Sequence, residues 1–187
     1  MEFVPTSLPG IMLLIPRRFE DERGYFCETY SSRRFEDAGL SFNFVQDNQS
    51  LSRTVGTVRG LHFQSPPHAQ AKLVRCTQGR LRDVAVDIRR GSPTFGQWTS
   101  YELSAENGWE LLIPAGFLHG FVTLEPDTVV VYKCDDHYAP DCDGAVRFDD
   151  PDLAIDWGVD PAAVILSQKD SRAPLMREFV SPFAYEG

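Results

Sequence analysis

Histidine and cysteine are scarce in this sequence, with 4 of each among 187 residues. No C-x-x-C pair occurs among Cys27, Cys76, Cys134 and Cys142, which removes the common thiolate zinc and redox arrangements. Long apolar runs are missing as well. The N-terminal stretch MEFVPTSLPGIMLLIPRRFEDE carries one run, Ile11 to Ile15, ended by Pro16. That is far short of the roughly 20 residues of a membrane span, and no basic lead precedes it as an export signal requires. Without an export signal the cysteines are expected to be free thiols, and the cytoplasm is the expected location. Positive charge is short too: 18 Lys and Arg against 27 Asp and Glu give a formal net charge of −9. Because the acids are scattered, the balance argues against nucleic acid and anionic membranes as partners, and any anionic ligand must be met by local arginines.

Neither repeats nor a low-complexity linker divides the chain, and a hydrophobic content of 42% suffices for a real core. One domain over residues 1–187 is expected. From Lys72 to Cys134 the runs KLVRCT, RLRDVAVDI, QWTSYELS, WELLIP, HGFVTL and TVVVYKC are rich in β-branched and aromatic residues. Turn residues punctuate them at Gly79, Gly91 to Pro93, Asn107 to Gly108, Pro114 to Gly116, and Glu125 to Asp127. Strands at roughly 8–12-residue spacing, with no βαβ alternation, predict an all-β antiparallel sandwich or barrel. In RDVAVDI, Val84, Val86 and Ile88 share one face, leaving Asp83, Ala85 and Asp87 to line a polar barrel mouth. Two short peripheral helices are expected. SSRRFEDAGL offers Ser31 or Ser32 as N-cap and Gly39 as terminator, and SQKD reads as a capping box from Ser167 to Asp170. The N-terminal third, rich in Arg, Phe and Gly, has no clear pattern; pairing with a neighbouring subunit's sheet would protect an exposed β edge.

The sharpest local pattern is GWELLIPAGFLHGF. Read as G-x5-P-x-G-x2-H from Gly108 through Pro114 and Gly116 to His119, it resembles the second cupin motif and predicts a cupin-like antiparallel β-barrel or jelly roll. Metal-binding cupins also carry H-x-H and a nearby Glu; here the matching stretch gives His62-Phe63-Gln64 and no acid. No complete first-row metal site is written, so no metal is expected. The remaining metal arrangement would bring His62, His68 and His119 together in space. A metal-free barrel holding His62, Lys72, His119, Tyr132 and Tyr138 has the parts for proton transfer beside a carbonyl. Each part also has a bland explanation. His62 can be a hydrogen-bonded core histidine, Lys72 an edge charge, Tyr132 a packed core residue and Asp170 a helix cap.

The segments RFEDERGYFCETY, FVQDNQS, VRGLHFQSPPHAQAKLVR, GSPTFGQWTSYELSAEN, PAGFLHGF, VYKCDDHYAP and RFDDPDLAIDW through SQKD decide between these. In that order, over nearly the whole chain, they resemble the dTDP-4-dehydrorhamnose 3,5-epimerase family. The resemblance implies inversion of the stereocentres flanking the C4 ketone of dTDP-4-dehydro-6-deoxy-D-glucose, without a cofactor. It makes His62 the general base, Asp170 its carboxylate partner and Tyr132 the proton donor on the opposite face. An ordinary imidazole, with a pKa of about 6.5, is a weak base for a carbon acid, so the enolate oxygen must be stabilised; Lys72 fits that task. By matched position, Arg23 and Arg59 clamp the pyrophosphate, Glu28, Gln46 and Asn48 contact nucleotide and sugar, His119 contacts substrate, and Tyr138 stacks on the thymine. Asp143 and Lys169 complete the binding set. Arg17, Arg18, Arg33 and Arg34 read as solvated surface.

Three positions depart from the family pattern: Gln49 where histidine is frequent, Ala71 where glycine is usual, and Asp143 where glutamate is common. None removes a catalytic group. Relatives with the same catalytic set that invert only C3 or only C5 keep a single-centre epimerase as an alternative. A non-catalytic sugar-nucleotide-binding cupin would need the arginines but not His62, Lys72 and Tyr132 together, and a metal-dependent cupin oxygenase lacks its H-x-H and acid. A homodimer is expected from the family and from the need to cover barrel edges.

Overall fold

In the computed structural model, which describes residues 1–186, two antiparallel sheets face each other. The strands are β1 (Glu2–Pro5), β2 (Met12–Ile15), β3 (Arg18–Asp21), β4 (Gly24–Cys27), β5 (Gln46–Ser52), β6 (Val58–Gln64) and β7 (Lys72–Gln78). They continue as β8 (Arg80–Asp87), β9 (Trp98–Ser104), β10 (Glu110–Ile113), β11 (Phe117–Thr123), β12 (Thr128–Cys134) and β13 (Asp143–Ala145). One sheet runs β1-β2-β10-β7-β12-β5 and the other β13-β6-β11-β8-β9, while β3 and β4 form a separate hairpin. Every run expected between Lys72 and Cys134 is a strand, and the expected cupin-like, all-β architecture is what the chain adopts. No helix among the described residues is long and apolar enough to cross a membrane.

Side-chain alternation sets the layers. From β8, Leu81 and Ala85 enter the space between the sheets with Leu13, Val74, Leu111, Phe117 and Val130. Val84, Val86 and Ile88 point the other way, onto Val146, Phe148, Leu153 and Trp157 of the C-terminal segment. Both faces of this sheet therefore bury apolar side chains, because the chain's last third covers the outer one. The polar mouth expected from Asp83 and Asp87 is half correct. Asp83 faces inward beside His119. Asp87, about 13 Å further along the strand, instead ties down a loop through Arg89, Ser92 and Thr94. Burial alone would raise its pKa, but those hydrogen bonds hold it down to about 2.

On the outer face of the larger sheet, Leu14, Leu73 and Leu112 are covered by Phe35 of α1 (Ser32–Asp37) and by Tyr30, Phe42 and Phe44. The helix ends before Gly39, which takes the left-handed conformation at φ +74°. Ser31 sits at the N-cap without a side-chain cap bond. SQKD does not open an α-helix: Ser167 Oγ accepts from the Asp170 amide, as a capping box requires, but only a 3-10 turn over Asp170–Arg172 follows. Arg18 is not simply solvated, since it donates to the carbonyls of Ala105 and Glu106 and lies over the Tyr25 ring. The four cysteines are unpaired.

Beyond the α1 cover, Glu110 lines a cavity of about 340 Å³ with Tyr30, Asp47, Arg75 and Lys133. It is 1% exposed, and its Oε1 has no hydrogen-bond partner among the described residues. Burial pushes its pKa up to about 8, against the pull of Arg75 and Lys133. The folded chain thus keeps a proton that the unfolded chain releases near 4.5. The contribution of Glu110 to stability is therefore greatest below that value and falls until both states are ionised above about 8, by at most about 1.4 kcal/mol per pH unit. Unfolding midpoints of the wild type and Glu110→Gln, measured across this range, should show the slope in the wild type and a flatter profile in the variant. Parallel profiles would contradict the assignment.

Candidate active site

The site begins where two strands come unusually close. A Cβ built on Gly60, at φ +133°, would lie 2.5 Å from the Gly120 Cα. Only glycine permits that approach of β6 to β11. The same pairing sets His62 directly opposite His119. Facing them from the larger sheet, β12 sets Tyr132 beside Asn48 of β5, and Cys134 beside Lys72 of β7. The histidines and the tyrosine thus come from opposite walls.

Between the walls lies a cavity of about 380 Å³, lined by Arg59, His62, Lys72, His119, Tyr132, Lys169 and Asp170 among others. An adjoining cavity of about 360 Å³ shares His62, Lys72, Tyr132 and Lys169 and adds Gln46, Asn48, Tyr138 and Asp143. Eleven of the thirteen residues expected from the sequence therefore meet here. Arg23 and Glu28 do not. Arg23 sits in the turn of the β3–β4 hairpin, paired with Asp21, and Glu28 pairs with Arg34. His68 also lies outside, bonded to Asp136, so the three-histidine arrangement is not formed.

Hydrogen bonding and burial set the character of the inner groups. His62 Nε2 lies 2.6 Å from Asp170 Oδ1. Burial would raise the Asp170 pKa, but hydrogen bonding from His62, Ser167 and the Gly60 backbone outweighs it and lowers the value. An ionised Asp170 can only accept, so Nε2 carries the ring proton and Nδ1 is left as the basic nitrogen. Burial, reinforced by Cys134, raises the Tyr132 pKa against the pull of Arg59 and keeps the phenol protonated. Burial lowers that of Lys72, while the carboxylates of Asp83 and Asp143 oppose it. His119 Nε2 lies 2.9 Å from Asp83 Oδ2, a second histidine–carboxylate pair. No motif marks Asp83 as a site residue; its place on the polar face of RDVAVDI is the one signal the sequence carries for it. The set can remove a proton on one side of a bound carbon acid, return one from the other, and hold an oxyanion between.

The family model described as dTDP-4-dehydrorhamnose 3,5-epimerase matches residues 5–178. A Sinorhizobium fredii protein of that name is 49% identical over 185 residues, covering 99% of this chain and 94% of its own. The crystal structure of the Legionella pneumophila dTDP-6-deoxy-D-glucose-3,5-epimerase in complex with dTDP-4-keto-L-rhamnose superposes with a TM-score of 0.94 at 41% identity, over 100% of this chain and 99% of that one. ChmJ, a 3′-monoepimerase from Streptomyces bikiniensis, gives a TM-score of 0.85 at 36% identity, over 92% of this chain and 87% of its own. With the match running through almost the whole sequence and both walls of the cavity, this chain belongs to the dTDP-4-dehydrorhamnose 3,5-epimerase family.

Proposed function

We propose that this chain, as one catalytic domain in the cytoplasm, inverts C3 and C5 of dTDP-4-dehydro-6-deoxy-D-glucose without a cofactor. The observation that carries the reading is the His62–Asp170 pair on one wall facing protonated Tyr132 on the other, with Lys72 beside them. His62 Nδ1 takes the proton from the carbon next to the ketone, and the C–H electrons move onto the C4 oxygen as an enolate. Lys72 donates to that oxygen; its burial makes the proton easier to share with a developing oxyanion. Tyr132 then protonates the carbon from the opposite face, the ketone reforms, and solvent resets both groups. Arg59, whose side chain is held by Ser52 Oγ and the Leu51 carbonyl, meets the pyrophosphate, with Gln46, Asn48 and Tyr138 on the nucleotide side.

A homodimer completes the reading. The hairpin holds Arg23, with Glu28 just beyond it, away from its own cavity, and exposes Phe19, Tyr25 and Phe26 at 52%, 54% and 71%. A second copy would receive these residues at its cavity mouth. Light scattering should give a dimer; a fully active monomer would remove this part of the proposal.

The function is tested by incubation with the substrate in deuterated water, following each sugar carbon by NMR. Deuterium with inversion at both C3 and C5 is expected. Inversion at a single carbon would make the chain a monoepimerase, and tight nucleotide binding without exchange would make it a binding protein.

A further inference from the structure

Tyr138 poses a positional problem. The residue is 58% exposed, too open for packing alone to fix the direction of its ring. Its backbone, by contrast, is held on each side. Gln64 Oε1 accepts from the Ala139 amide at 2.9 Å, and Gln64 Nε2 donates to the His137 carbonyl at 2.9 Å. The same Nε2 also donates to the His68 carbonyl. The Tyr138 amide itself donates to Gln46 Oε1 at 3.0 Å.

Gln64 is 4% exposed and ends β6, two residues beyond His62. Its carboxamide bonds the carbonyl before Tyr138 and the amide after it, as a neighbouring peptide group would in a sheet. We infer that Gln64 is a positioning residue: it fixes the backbone on both sides of Tyr138 and thereby aims the exposed ring over the smaller cavity. One buried amide thus links the strand carrying the base to the loop carrying the nucleotide contact. The inference rests on the proposed role of Tyr138 in holding the thymine.

The test is a double-mutant cycle on the active enzyme with the dTDP-sugar substrate. Gln64→Met keeps side-chain length and removes all three hydrogen bonds. It should raise KM about tenfold with kcat within about twofold of wild type. In a Tyr138→Ala background, already raised in KM, the same change should add almost nothing, because the ring it aims is gone. Should Gln64→Met fail to fold, Gln64→Glu serves: its carboxylate still accepts from Ala139 but cannot donate to His137 or His68, and the same KM pattern is expected. If Tyr138→Ala raises KM and the Gln64 effect multiplies it in full, or if the Gln64 variants lower kcat at unchanged KM, the positioning role is overturned while the nucleotide reading stands. If Tyr138→Ala leaves KM unchanged, both fall.

Discussion

His62→Ala is expected to abolish solvent-proton exchange into the substrate and to lower kcat about a thousandfold, with dTDP affinity close to wild type. The expectation follows from what the imidazole lacks as well as what it has. Its Nε2 is committed to Asp170 at 2.6 Å, which leaves Nδ1 as the one nitrogen of this ring for abstraction. His119 is held by Asp83 in a pair of its own. Asp170→Asn makes the companion test. An amide in place of the carboxylate can donate to Nε2, which moves the ring proton to Nδ1 and removes the lone pair that the proposed abstraction needs. A loss of similar order is expected, and the double variant should be little worse than either single one, because the two residues act as a unit. Exchange that survives in His62→Ala would require another base.

The parts of the fold readable from sequence were those where burial on one face enforces a period of two. β7 to β12 alternate cleanly or run apolar between glycine and proline turns, so each predicted run became a strand. The β3–β4 hairpin gave no such signal, since nearly all its residues are exposed and no face is selected. In SQKD the local pattern and the tertiary role diverge. Ser167 caps as expected, but the Asp170 carboxylate turns to His62, and a bond across 108 residues cannot be read from a four-residue motif. The proposed catalytic set is legible only through family resemblance, because singly each residue has a structural explanation. Glu110 carries no local signal at all. WELLIP reads as a strand with one charged position, and nothing local says that the glutamate's face is covered.

Tyr132→Phe should separate two events that the wild type performs together. Removing the phenolic hydroxyl leaves the His62–Asp170 pair on the opposite wall untouched, so abstraction should continue, and His62 can return a solvent-derived proton to the face it came from. Deuterium uptake with retention of configuration is therefore expected, while inversion falls about 10²- to 10⁴-fold, the range ascribed to a positioned acid. The raised pKa of Tyr132, driven by its burial, is consistent with this division: the phenol is held ready to donate rather than to accept. NMR in deuterated water reads both quantities from one sample. Inversion at the wild-type rate would exclude Tyr132 as the donor. Loss of exchange together with inversion would place its hydroxyl on the enolate oxygen beside Lys72, since only a group needed to form the enolate can stop abstraction from the other wall. Inversion lost at one carbon and kept at the other would mean that the phenol serves one centre and that water reaches the second, an outcome that makes the geometry of this wall the determinant of single against double epimerisation.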